Sequence, residues 1–582
     1  MNRHSPPHEL PRFDRSWDPA GGVSRIGSGE IGGKAQGLLL LREIVEEVQA
    51  STDESIDLLV PTFTVIATDV FDAFIVRNDL LGRVNEMSSD ERIAHAFQRA
   101  SLPHEILGDL RALTEKVRWP LAIRSSSRLE DALFRPFAGV YETKMTPNNQ
   151  PAADTRFQRL VEAIKFVYAS TYFSAAGDYL GTITDCTQTE KMAVIIQEVV
   201  GTAHQDRFYP NLSGVGRSFN FYPMGDIGRE DGIVDLALGL GKIIVDDGVS
   251  YPYAPSQPKR PPPFASAGDR LRNTQTEFWA VNMGRPPVFD PTKETEYLVR
   301  ANIADAEYDG VLRYLASTFD PASERIWPGV GRDGPRILDF APLLLLEEFS
   351  FNDAISKLLI ACRARLERDV EIEFAMTFPG ARKEGRPRLG CVQVRPMVTP
   401  EEKVVVDSAE LEAANLLLSS SRVMGNGVVD QIKDVIYVRP DHFSFDRTQE
   451  IAEQLAILNS KLVARQHPYL LIGFGRWGSS DPWLGIPVKW GQVSGAKAVV
   501  EATSKTRLVE ASQGSHFFHN ITSFGVSYFH VGSSTDAGIQ WDWLESKPAE
   551  FESEILRHLR LENPLLVKVD GRSGIGGIWF SE

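Results

Sequence analysis

Cysteine is scarce in this chain of 582 residues, with Cys186, Cys362 and Cys391 its only three. They are far apart, odd in number and in no metal-ligand spacing, which argues against a disulfide framework and fits a reducing compartment. Positive charge is also short: 62 Lys and Arg face 78 Asp and Glu, for a formal net charge of −16. General binding to nucleic acid or to an anionic membrane is therefore not expected, since both reward a basic surface. No run approaches the about eighteen apolar residues of a membrane span. The opening Met1-Asn-Arg-His-Ser-Pro-Pro-His8 has no apolar signal core. The expectation is a soluble, cytoplasmic protein without nucleic-acid or membrane partners.

What is present is ordinary globular composition, 42% hydrophobic and 24% charged, over a length that suits about three to five domains. Residues 1–20 are polar and Pro-rich and read as a loosely held lead-in. Residues 21–250 alternate apolar helices and strands. Among these are a Gly turn opening a helix at Ile31, strands at Phe63 and Trp119–Arg124, a helix over 156–175, and a buried strand from Met192. The stretch from Tyr251 to Ala265 is dense in proline, including Pro261-Pro-Pro263, and cannot continue a helix or a central strand. Residues 251–340 then read as an insertion. A helix at 352–368 precedes a strand from Val370, a turn-rich stretch and a strand from Leu389, which together predict an antiparallel hairpin. A different domain is expected over 405–582, rich in clustered Gly, Trp and His. The fold class is α/β, in its α+β variety.

The segment Leu121-Ala-Ile-Arg124-Ser-Ser-Ser127, continued through Phe137-Ala-Gly139 to Thr143, delivers an arginine from a buried strand into a Ser- and Gly-containing loop. Such an arginine wants an anion, and backbone amides around small residues bind one. A surface salt bridge beside a Ser-rich turn explains the segment equally well when it stands alone. Gly32-Gly-Lys34 sets an ammonium where a turn enters a helix. That placement opposes the macrodipole unless an anion lies between, or the lysine is solvated.

On the hairpin, residues two apart share a face. Glu371 and Glu373 project together from one strand, and Gln393 and Arg395 from the other. A carboxylate, an amide oxygen and an arginine on one face suit Mg²⁺ with attached phosphate. A cross-strand Glu–Arg pair on a solvated face is the plainer reading. Gly239-Leu-Gly241 lacks the full dinucleotide fingerprint.

In order and spacing, these pieces together resemble the nucleotide-binding part of the pyruvate phosphate dikinase and phosphoenolpyruvate synthase family. The resemblance spans roughly residues 20–400 and is interrupted by the 251–340 stretch. It implies an ATP-grasp-like clamp of two subdomains over 21–250 and 341–400, followed by a separate C-terminal α/β domain. It also implies ATP and Mg²⁺ as cofactors and an ATP-dependent phosphotransferase activity toward an unidentified small-molecule or protein acceptor. Matched position by position, Lys34 would touch ATP phosphates, and Arg124 corresponds to the arginine of the family's Arg-Ser-Ser segment. Gly139 and Thr143 lie in the phosphate-covering loop, and Gln197 ends the strand beside the adenine. Glu373 and Gln393 form the metal-proximal pair, with Arg395 two residues on. Arg124 and Arg395 are thus the expected catalytic cations. Lys242 stands where the family has a ribose-contacting Glu, Phe219 where an Arg is expected, and the loop between Glu373 and Gln393 is longer than usual.

The family carries phosphate on a histidine of a swivelling domain. Ser515-His516, followed nine residues later by Gly525, fits that pattern in part, although the preceding Thr and paired Gly are missing. His516 is the candidate carrier and 405–582 a candidate divergent phosphohistidine-type domain. His519 and His530 are weaker choices, and all three could be core histidines. The family's large pyruvate-binding barrel has no counterpart here. The loop Arg476-Trp477 to Asp481-Pro-Trp483 offers a cation, aromatics and an acid for an acceptor, or simply core anchors. Two other readings compete with a phosphotransferase acting through histidine: an ATP-sensing regulatory module that transfers nothing, and direct transfer to a small molecule.

Overall fold

The structure is a computed structural model. It describes residues 10–16, 22–52, 55–84, 86–87, 89–127, 139–174, 176–177, 190–223, 227–246, 248–262, 266–379, 385–397, 399, 404–407, 409–479, 481, 483–503, 517, 521, 524–532 and 538–581. The chain is a mixed α/β protein in which several sheets share apolar cores with helices.

The first sheet runs in the order Val23–Ile26, Phe63–Ile66, Met192–Glu198, Leu121–Ser127, Thr143–Thr146. The apolar run from Met192 is buried along all but its last residue, as expected of a central strand covered on both faces. Ala153–Ser170 forms the helix expected around 156–175, and it buries Leu160, Ile164 and Val167 at helical spacing against this sheet.

The second sheet runs Tyr251–Tyr253, Ile233–Leu238, Leu212–Arg217, Val370–Thr377, Arg388–Pro396, Asp57–Leu59. Its last strand comes from the N-terminal part of the chain, so the two sheets are laced together. The helix Gly32–Ser51 joins them as well. Ala35 and Leu38 pack with Phe63, Val65 and Ile195 of the first sheet. Leu41, Ile44 and Val48 pack with Ile372 and Leu389 of the second.

Strands within 251–340 build a four-stranded sheet with Arg207–Tyr209 and Thr202–His204, and a separate three-stranded sheet. Phe278, Ala280, Leu338 and Phe340 from this stretch lie in the same apolar core as Leu212, Leu236 and Phe374. The stretch is thus part of the second subdomain's core.

Beyond residue 415 a nine-stranded mixed sheet forms, with Gly427–Val438, Tyr469–Phe474, Ala496–Ala502 and Ser527–Val531 parallel to their neighbours in that order. Its strands are apolar on both faces because both are covered: Tyr469 and Leu471 point to one core, Leu470 and Ile472 to the other. The helix Thr448–Ala464 seals the first of these with Ile451, Leu455, Leu458 and Leu462. That core also takes in Phe219, Phe221, Tyr222 and Met397 from the preceding module. No helix among the described residues is long and apolar enough to cross a membrane.

Candidate functional site

A cavity of about 480 Å³ lies between the two sheets. Part of its wall is apolar, with Ala122, Val199 and Leu240 in a cluster that also includes Met145 and Leu298. Its polar walls include Lys34, Arg124, Glu373, Gln393 and Arg395. Gly139, Thr143 and Gln197 also line it. Every binding residue singled out from the sequence therefore borders one space.

Ser126, the second serine after Arg124, explains how two distant motifs meet. Gly32 has φ +77, and a Cβ there would lie 1.9 Å from the carbonyl oxygen of Ser126. Only glycine permits both the left-handed turn and that approach. The Ser126 hydroxyl donates to the Ile31 carbonyl at 2.8 Å and accepts from the Ala35 amide at 3.1 Å. It satisfies a backbone donor in the first turn of the Gly32–Ser51 helix. Lys34 is held in that turn and is buried at the cavity wall.

Arg124 spans the gap between the sheets. Its Nη1 donates to Gln197 Oε1 at 3.1 Å and to the Val392 carbonyl at 2.8 Å. Its Nη2 donates to Gln393 Oε1 and stands 3.6 Å from Glu373 Oε2. Gln197, 2% exposed, leaves its Nε2 without a hydrogen-bond partner among the described residues. A buried, unsatisfied amide costs about 1–3 kcal/mol, so a ligand acceptor in the cavity would relieve it.

The antiparallel hairpin expected from the sequence forms, and its register sets Glu373 opposite Gln393 and Glu371 opposite Arg395. The two rows differ in depth. Arg395, 3% exposed, donates through Nε to Glu371 Oε1 at 2.7 Å, and its Nη2 bonds the same oxygen. Glu371 Oε2 accepts from Arg217 Nε at 2.8 Å, and Arg217 Nη1 reaches Asp235 at 2.8 Å. Two arginines and two carboxylates thus form a charge-balanced row across four neighbouring strands. Burial opposes ionisation of Arg217, while Glu371 and Asp235 together hold its pKa above the usual value. Arg395 borders the cavity from within this row. Neither Arg217 nor Asp235 stood out in the sequence, because their partners lie on strands far away in the chain.

Residues from outside the expected ATP module complete the walls. Lys144, buried beside Thr143, pairs with Glu296 at 2.8 Å and donates to the carbonyls of Pro291 and Lys293, each at 2.9 Å. Burial lowers its pKa against the pull of Glu296. This buried lysine pins the 290–298 loop, so that Glu294 and Leu298 reach the cavity. Lys242, in the place of the expected Glu, is bound 3.1 Å from both Asp246 and Glu294. Phe219, in the place of the expected Arg, packs edge-on to Phe221 at 5.0 Å within the core shared with the C-terminal module. From that module Gly478, Val488, Lys489, Trp490 and Phe517 face the cavity.

His516 and His519 lie outside the described residues. His530 is buried on the strand Ser527–Val531, where its carbonyl accepts from the Ser420 hydroxyl, and it does not border the cavity. In the Arg476–Trp483 loop, Trp477 is fully buried and its Nε1 donates to the Val500 carbonyl at 3.0 Å, while Trp483 is exposed. Trp477 is thus an anchor of the core. Among the described residues no group of three or more His, Cys, Asp or Glu side chains could hold a metal.

Residues 28–415 match the family model described as "Pyruvate phosphate dikinase, AMP/ATP-binding domain". The chain is also similar to phosphoenolpyruvate synthase of Aeropyrum pernix, 25% identical over 240 residues. That match covers 37% of this chain and 25% of the archaeal protein, so it spans about a quarter of the relative's length. With more than half of its length matched to the model, and with the matched residues enclosing one cavity, the chain belongs to the pyruvate phosphate dikinase AMP/ATP-binding domain family.

Proposed function

We propose that the chain is an ATP- and Mg²⁺-dependent phosphotransferase in which an ATP-grasp-like clamp activates the nucleotide and the C-terminal module receives or presents the acceptor. The observation that carries this reading is the polarity of one cavity. An apolar cluster at Ala122, Val199 and Leu240 suits a base, and Lys34, Arg124, Glu373 and Gln393 line the same space as a polar set. The unsatisfied amide of Gln197 points to a polar ligand between them.

Mg²⁺ fits the donors present. It takes few protein oxygens and completes its shell with water and phosphate, and Glu373 and Gln393 supply one carboxylate and one amide oxygen on adjacent strands. When bound, the ion would neutralise charge on the transferring phosphoryl group. Arg124, which now holds both of these side chains, and Lys34 would stabilise the same developing charge. Arg395 acts from behind, by fixing the strand that carries Gln393.

A route through His516 is the second reading. It is favoured by the position of Phe517, the next residue in the chain, at the cavity wall. The test is to incubate the protein with Mg²⁺ and ATP, then identify the nucleotide products and any acid-labile phosphate. ADP with a phosphorylated small molecule is expected for direct transfer, and AMP with phosphate on His516 for the carrier route. Neither ATP binding nor ATP consumption across a panel of acceptors would overturn the proposal.

A further inference from the structure

A second cavity, of about 470 Å³, shares no lining residue with the nucleotide cleft. Two helices and one loop form it. His95, Gln98 and Arg99 lie three and four residues apart on the helix Asp90–Arg99 and so share a face. Gln158, Val161, Glu162 and Lys165 do the same on Ala153–Ser170. The two faces are tied together: Gln98 Nε2 donates to the Glu162 carbonyl at 2.8 Å, and Lys165 Nζ donates to the Gln98 carbonyl at 3.2 Å. Phe289, Asp290 and Pro291 supply the third wall.

The acids of this cavity are engaged, and two of its cations are not. Glu162 is paired with Arg159 at 2.9 Å and accepts from Gln158 at 3.0 Å. Asp290 accepts from the Thr292 hydroxyl at 2.7 Å. That hydrogen bond, helped by Lys144 and Lys293, holds its pKa below the usual value. His95 stands 3.8 Å from Glu91 of its own helix. Arg99 is exposed and makes no hydrogen bond or ion pair among the described residues. Lys165 has no carboxylate within ion-pair distance there, and burial lowers its pKa against the pull of Glu162. A desolvated ammonium without a counter-ion is costly, and an anion in the cavity would relieve it. Phe289 lies half exposed, with the Arg159 guanidinium 4.6 Å from its ring centroid, and Val161 and Pro291 add apolar surface to the same space.

One loop serves both cavities. Phe289 to Pro291 wall the outer one, and Glu294 and Leu298 border the nucleotide cleft. Between them the Lys144 ammonium holds the loop at Pro291, Lys293 and Glu296. Thr143, the residue before this lysine, lines the cleft itself.

We propose that the outer cavity is a regulatory site for a small organic anion bearing a flat ring, and that filling it tightens nucleotide binding in the cleft. Arg99 and Lys165 hold the carboxylate or phosphate, and the ring rests against Phe289. An anion fixed there restrains the loop from its outer end, so less ordering of Glu294 and Leu298 is left for the nucleotide to bring about. By linkage the nucleotide tightens the anion by the same factor. The inference rests on the proposed nucleotide site and is independent of where the phosphoryl group goes.

The experiment uses the full chain with phenyl phosphate, benzoate, inorganic phosphate and benzyl alcohol as probes. Their binding is measured by calorimetry with Mg²⁺ and a saturating non-hydrolysable ATP analogue, so that the cleft is already filled. The affinity of the analogue is then measured with and without each probe. The expected result is that at least one aryl anion binds about 10-fold or more tightly than benzyl alcohol and inorganic phosphate, the better of the two identifying phosphate or carboxylate as the preferred group. That anion should tighten the analogue about 5-fold or more. Arg99→Glu, at an exposed position, should weaken the aryl anion about 10-fold or more while analogue affinity without probe stays within about 2-fold. Phe289→Ala should erase the advantage over inorganic phosphate. No binding by either aryl anion, equal binding of benzyl alcohol, binding lost once the cleft is filled, or affinity unchanged in Arg99→Glu would overturn the site. Unchanged or weakened analogue affinity with the anion bound would overturn the coupling. Failure of the analogue to bind at all would strike the nucleotide reading and the coupling with it, while Arg99→Glu would still decide the site.

Discussion

Two rows of side chains, two residues apart on the same hairpin, have nearly the same composition and opposite fates. The upper row, Glu373 and Gln393, meets Arg124 from the other sheet at the edge of the cavity. The lower row, Glu371 and Arg395, is closed by Arg217 and Asp235 and is almost wholly buried. The cause lies further along the strands. Phe219 and Met397, two residues beyond Arg217 and Arg395, enter the core shared with the C-terminal module. One carboxylate–arginine set is thereby left facing a ligand space, and the other becomes part of the packing that holds that space open.

The comparison breaks most visibly at Arg395. Arg395→Ala leaves Glu371 in a buried row with an uneven charge, and removing one partner of a buried pair costs about 3–5 kcal/mol. The expected outcome is a fall of that size in unfolding free energy by urea titration. Lys at the same position should recover only part of it, because the ammonium lacks the fork that meets Glu371 through Nε and Nη2. Stability unchanged in Arg395→Ala would mean that the two rows are equivalent. Arg124→Ala should show the reverse pattern. ATP turnover should fall on the order of 100- to 1000-fold, while stability drops by less than about 2 kcal/mol, since its side chain is 12% exposed and its partners are mostly neutral. A loss of folding in Arg124→Ala would make Arg124 a structural strut like Arg395.

Much of the site was legible because its signals are local. Strand alternation placed Glu371 with Glu373 on one strand and Gln393 with Arg395 on the other, without reference to any other part of the chain, while the register that sets Glu373 opposite Gln393 came only with the fold. The glycines before Lys34 marked the turn that Ser126 now stitches down. Depth was not legible, because it depends on what covers a face. The same alternation fits a solvated row and a sealed one, and only Arg217, Asp235 and the neighbouring C-terminal core decide between them. Lys144 carried no signal of its own in the sequence, since Glu296 and the carbonyls that bury it come from a loop about 150 residues on. For the same reason the part played by Lys489 and Trp490 in the cleft left no trace in their own segment. A departure such as Phe219 acquired a cause only once the core that it enters was visible.

The central claim is that the cleft between the two sheets holds the nucleotide. Hydrogen exchange on the full chain, with and without ATP and Mg²⁺, tests it directly. The account predicts slowed exchange in Gly32–Leu38, Leu121–Ser127, Thr143–Thr146 and Arg388–Pro396, with little change along Gly427–Val438 in the far sheet. Protection confined to the C-terminal sheet, or no protection anywhere under saturating nucleotide, would contradict it.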